Sequence, residues 1–128
     1  MRAREEEAQR LLKKALKLLG RERSAADVFF IGDAAMRRLN RVYRGKDKVT
    51  NVLSFSAPGN FPRPDLKKGT RFLGEIYLNI KYIERKGDDW RSMLIHGLLH
   101  LLGFDHEKIN DKMKMQKLEK SIASSLGF

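Results

Sequence analysis

The chain has 128 residues, 27 Lys or Arg against 16 Asp or Glu for a formal net charge of +11, and no cysteine. That length suits one domain with one core, expected to span residues 1–128. The missing cysteines exclude a disulfide framework or a Cys-based zinc site, and no apolar run reaches the roughly 18–20 residues that cross a bilayer. The charge favours a polyanionic partner, nucleic acid first, and the charged opening MRAREEEAQR, unlike a signal peptide, leads us to expect a cytoplasmic protein. In chain order, Ala8, Leu11, Leu12, Ala15, Leu16 and Leu19 recur at helical spacing within residues 4–19, and Gly20 is placed to end that helix. Val28 to Ile31 is a short run of strand formers. Asp33 is placed to cap a helix from Ala34 to about Tyr43.

Arg44 to Lys48 reads as a polar loop, Asn51 to Phe55 as a strand, and Pro58 to Gly69 as a surface loop. From Phe72 to Ile80 the residues alternate with the period of a strand. A short segment, Lys81 to Lys86, leads to Asp88 or Asp89 as the cap of a helix over 89–102, and a last amphipathic helix over 107–126 carries Ile109, Met113, Leu118, Ile122 and Leu126. The order predicts an α+β fold: a small mixed sheet packed with helices, a metal-binding core helix and a C-terminal helix.

All three histidines fall within eleven residues, His96-Gly-Leu-Leu-His100-Leu-Leu-Gly103-Phe-Asp-His106. On a helix, His96 and His100 lie about 6 Å apart along one face. Two imidazoles so placed can converge on one ion at Zn–N distances of about 2.0–2.1 Å. Gly103 tolerates the left-handed conformation that would turn the chain and bring His106 to the same ion. Three nitrogen ligands leave an open position, as in catalytic zinc sites, and the expected chemistry is hydrolysis. We expect one Zn2+ per chain, with other divalent transition metals compatible with imidazole.

The spacing H-x-x-x-H-x-x-G-x-x-H resembles the metzincin protease motif, but Gly97 stands where that motif has its general-base glutamate. The fuller string H-G-L-L-H-L-L-G-F-D-H resembles the YbeY family, bacterial endoribonucleases of ribosomal RNA maturation. So does Tyr43-Arg44-Gly45-Lys46-Asp47-Lys48-Val49-Thr50-Asn51-Val52-Leu53-Ser54-Phe55, as does Leu73-Gly74-Glu75-Ile76. The likeness runs from about Asp27 to His106. Val49 and Ser56 depart from it, each standing where the family often has proline.

The resemblance implies a zinc site at His96, His100 and His106 and single-strand-specific RNA cleavage in the bacterial cytoplasm. The substrate would be ribosomal RNA, in 16S 3′-end maturation and ribosome quality control, with the small ribosomal subunit as partner. It also implies a functional Arg44, whose planar fork suits phosphate and can stabilise developing charge. Lys46 and Lys48 are candidate phosphate contacts. Asp105 is a candidate acceptor fixing an imidazole, or a cap of the turn after Gly103. Ser54 is expected to bond a loop backbone and Glu75 an ordinary ion partner. The alternatives are a metalloprotease with a non-standard base and a ribosome-associated binding module with a structural metal.

Overall fold

The computed structural model describes residues 2–104 and 108–128. Its elements are α1 (Arg2–Leu18), β1 (Ser24–Phe30), α2 (Asp33–Arg44), β2 (Val52–Ser56), β3 (Arg71–Leu78), α3 (Ile80–Arg85), α4 (Trp90–Leu101) and α5 (Ile109–Leu126). The fold is α+β, as the element order predicts. The sheet is three-stranded and mixed, in the order β1-β3-β2. Its central strand β3 runs parallel to β1 and antiparallel to β2. Among the described residues, no helix is long and apolar enough to cross a membrane.

Strand alternation sends side chains to opposite faces of this sheet. One face, with Val52, Ile76 and Leu78, packs into a core shared with Leu12 and Leu16 of α1, Leu94, Leu98 and Leu99 of α4, and Met115 and Ile122 of α5. α4 is apolar around most of its circumference because it runs through that core. The other face carries Phe29, Tyr77 and Phe55, whose rings form a continuous row. Phe29 stacks on Tyr77 with centroids 5.0 Å apart, Tyr77 meets Phe55 edge-on at 5.8 Å, and Phe55 meets Tyr43 at 5.4 Å.

Several local expectations are corrected. β1 begins at Ser24, four residues before the apolar run, because the weak strand formers Ser24-Ala25-Ala26 are held by pairing with Arg71, Phe72 and Gly74 of β3. Asp33 is the first residue of α2 and does not cap it; Gly32 holds the N-cap without a side-chain bond. The Asp33 carboxylate instead accepts from Asn79 Nδ2 at 2.7 Å and from Arg85, which keeps it below the usual carboxylate range. The segment after β3 is a true helix, α3, capped by Asn79, whose side chain accepts from the Tyr82 N–H.

On α5, Ile109 and Met113 are 75% and 54% exposed, while Met115 is buried. The inward stripe of α5 therefore runs through Met115, Leu118, Ile122 and Leu126. The expected start of this helix at residue 107 lies outside the described residues.

Candidate metal centre

α4 starts where Asp89 accepts a hydrogen bond from the Arg91 N–H at 2.9 Å, and it runs to Leu101. Its end has the geometry expected of Gly103. That residue takes φ +101°, its N–H donates to the His100 carbonyl at 3.0 Å, and the Phe104 N–H donates to the Leu99 carbonyl at 3.1 Å. These paired bonds satisfy carbonyls the helix leaves over and fix the direction in which the chain departs. His106 and Asp105 lie beyond that turn, outside the described residues, so two of the expected centre residues have no structural description.

His96 and His100 come together as their spacing requires. Their Nε2 atoms are 3.1 Å apart and their ring centroids 4.7 Å. Two nitrogens bound to one tetrahedral ion at about 2.05 Å would stand about 3.3 Å apart, so the pair fits a shared zinc ion. Both residues are half-buried, which keeps the donor atoms reachable from outside the core.

A third side chain, absent from the histidine motif, meets this pair. His96 Nδ1 lies 2.7 Å from Glu119 Oε1 on α5, a short contact between two half-buried side chains. A carboxylate contact of this kind is expected of Asp105, which lies outside the described residues. Nothing in the histidine motif points to Glu119, since 23 residues separate it from His96. A signal existed on α5 itself. Glu119 follows Met115 by one turn and precedes Ile122 by one, and both neighbours are buried. A carboxylate on an apolar helix face needs a partner.

β2 ties the loop before it to the histidine helix. Ser54 Oγ donates to the Gly97 carbonyl at 3.1 Å, a bond to helix backbone and not to a loop. Asn51 Nδ2 contacts Met93 Sδ at 3.2 Å, one turn before His96. Gly97 itself faces the sheet. A Cβ there would stand 2.9 Å from Ser54 Oγ and 3.0 Å from Ile76 Cγ2, so glycine is required by close packing. A carboxylate at 97 would point into this contact.

Arg44 ends α2 and is exposed, as are Lys46 and Lys48. The turn that carries them is held firmly. Gly45 adopts φ +69° and donates to the Arg41 carbonyl, and the buried Asn40 donates from Nδ2 to the Lys48 carbonyl at 2.9 Å. Arg37 grips Asp47 through two bonds of 2.8 and 3.2 Å, lowering the Asp47 pKa. Tyr43, 68% exposed, stands beside Arg44 on the same turn of helix.

The opposite face of the sheet holds a pocket of about 370 Å³ lined by Asp27, Phe55, Phe61, Arg63, Phe72 and Glu75 among others. The guanidinium in it is already paired. Arg63 bonds Asp65 at 2.7 Å and Asp27 at 2.9 Å and lies 4.3 Å from the centre of the Phe72 ring. That grip lowers the Asp65 pKa to about 2. Glu75 accepts the Tyr77 hydroxyl at 3.3 Å in place of the expected ion partner, and burial raises the Tyr77 pKa.

The profile of the family described as Endoribonuclease YbeY matches residues 1–127. A curated Endoribonuclease YbeY from Thermodesulfovibrio yellowstonii is 43% identical over 108 residues, 77% of this chain and 65% of that protein. One from Chelativorans sp. is 40% identical, covering 82% of this chain and 68% of the relative. A third, from Stenotrophomonas maltophilia, is 39% identical over 125 residues, 89% of this chain and 76% of the relative. The chain thus spans about two thirds to three quarters of the length of these relatives. A solution structure of a Thermotoga maritima protein superposes with a TM-score of 0.53 at 24% identity, covering 94% of this chain and 82% of that one, a likeness of fold.

Proposed function

Because the chain belongs to the Endoribonuclease YbeY family, we propose that it is a metal-dependent endoribonuclease acting on single-stranded RNA. The observation that carries the reading is the pair of imidazoles held nitrogen to nitrogen at 3.1 Å, with Glu119 behind one of them. His96 and His100 would hold the ion, with His106 as third ligand. Zinc suits an all-imidazole donor set with one open position. When bound, such an ion polarises a phosphoryl oxygen and acidifies water, which is the chemistry phosphodiester hydrolysis needs.

The chain's own residues supply the rest. Arg44, preorganised by the Gly45 turn, offers its guanidinium to the non-bridging oxygens of the phosphodiester and to charge that develops there. Lys46 and Lys48 on the same turn add attraction for the RNA backbone, and the net charge of +11 acts over longer range. The exposed Tyr43 ring offers a face on which an unpaired base can stack, which favours single strands over duplex. The family relationship further supports ribosomal RNA as substrate, 16S 3′-end maturation and ribosome quality control as the setting, the small ribosomal subunit as partner and the cytoplasm as location. The orientation of Gly97 toward the sheet weighs against a protease, since a glutamate there could not serve as base without unpacking β2.

Elemental analysis of the purified chain, with a cleavage assay on single-stranded and duplex RNA, tests this. We expect about one metal per chain and cleavage of the single strand that stops on chelation. A metal-free chain that cleaves at the full rate would refute the reading.

A further inference from the structure

We infer that Glu119 is the positioning residue of the histidine centre, fixing the His96 ring with its proton on Nδ1 and its Nε2 lone pair facing His100 Nε2. The inference rests on the metal reading above and goes one step beyond it, to how the ligand is prepared before an ion arrives.

The chemistry of the partners sets the proton's place. A carboxylate only accepts hydrogen bonds, so at 2.7 Å from Glu119 Oε1 it is His96 Nδ1 that donates. In a neutral imidazole the other nitrogen is then the acceptor, and that nitrogen is the one 3.1 Å from His100 Nε2. Glu119→Ala would remove the acceptor of the Nδ1 proton, and the tautomer which that acceptor disfavours carries its proton on Nε2, where the ion is proposed to bind.

Packing makes the hold rigid. Glu119 stands between Met115, 2% exposed, and Ile122, 3% exposed, on the stripe by which α5 joins the core. The carboxylate therefore reaches His96 from an anchored backbone. Side chains that orient a metal-binding imidazole typically change metal affinity about 10–100-fold when removed. A plain cross-link between α4 and α5 would stabilise the fold with no preference for one tautomer.

Three measurements on the full chain separate these roles: nitrogen NMR of the His96 ring without metal, zinc affinity by competition with a chromophoric chelator, and the thermal midpoint. In the metal-free wild type we expect the Nδ1–H tautomer at neutral pH. Glu119→Ala should lose that single tautomer and bind zinc about 10–100-fold more weakly, with the folded state retained. Glu119→Gln keeps an accepting oxygen and should recover most of the affinity; it also decides the matter if the alanine variant unfolds. Unchanged tautomer and affinity in Glu119→Ala, or a Gln variant as weak as Ala, would overturn the inference. If the wild type binds no zinc, the metal reading falls, and the metal-free spectra still judge the hold of Glu119 on His96.

Discussion

On the outer face of the sheet, Arg63 has its guanidinium held by Asp27 and Asp65 and laid against Phe72. On the helical side, His96 and His100 bring two imidazole rings nitrogen to nitrogen, and the Glu119 carboxylate lies 2.7 Å from the far nitrogen of His96. The first cluster has opposite charges in contact, an arrangement that needs no ligand to explain it. The second sets two imidazole nitrogens 3.1 Å apart, a spacing that also suits two ligands of one ion. The pocket sits over the paired charges, while the proposed metal centre lies on the other side of the sheet, where α4 packs. The proposed assignment accordingly follows what each polar group faces, and not the depth of a cavity.

The sharpest way to break this contrast is to remove one histidine. A bound ion contributes several kcal/mol of transition-state stabilisation, so His100→Ala should lower RNA cleavage by about 10^3-fold. His100 is half-buried and outside the tightest core, so the far-ultraviolet circular dichroism of the variant should match the wild type. Loss of the folded signal would instead mark the histidines as structural.

A pair of arginine variants sharpens it. Arg44→Ala removes the proposed phosphate contact and should weaken single-stranded RNA binding about 10-fold, with the salt slope reduced by about one. Its melting temperature should hold, since the side chain is exposed. Arg63→Ala should do the reverse. It leaves Asp27 and Asp65 unmatched and lowers the melting temperature without changing cleavage. If Arg63→Ala abolished cleavage and Arg44→Ala did not, the assignment of the two faces would be inverted.

The sequence made the histidine helix legible because its signals are local. Spacing of four on an apolar helix fixes which rings meet, and Gly103 takes the positive φ that its place after the helix demands. The α+β class followed from periodicity for the same reason. What stayed hidden depends on distant contacts. Ser24-Ala25-Ala26 becomes strand only because β3 lies beside it. Asp33 abandons its cap for Asn79 and Arg85, some 46 and 52 residues away. Glu119 could have been noticed as a carboxylate on an apolar stripe, but its partner is set by how α5 lies on α4.

Gly97 tests that packing directly. The notable absence of a carboxylate at this position has a steric cause, so Gly97→Ala should destabilise the fold by about 1–3 kcal/mol. Urea unfolding measures this; a neutral result would mean that β2 and α4 are less closely packed than 2.9 and 3.0 Å contacts imply.

The smallest expected effect concerns acid. The Asp65 pKa is lowered from 3.8 to about 2 by Arg63, so its contribution to stability is present above pH 3.8 and is lost as pH falls through about 2. Asp65→Asn should remove that part of the pH dependence, with the gap in melting temperature between variant and wild type closing as pH is lowered from 5 toward 2. A gap that stayed constant over this range would mean the Arg63 pairing adds nothing to acid sensitivity.

The most direct test of the histidine pair as a catalytic metal centre is cleavage of single-stranded RNA by the purified chain before chelation, after it, and after zinc is restored. We expect activity, loss and recovery, with about one zinc bound per chain at recovery. Full activity in the metal-free chain would contradict the assignment.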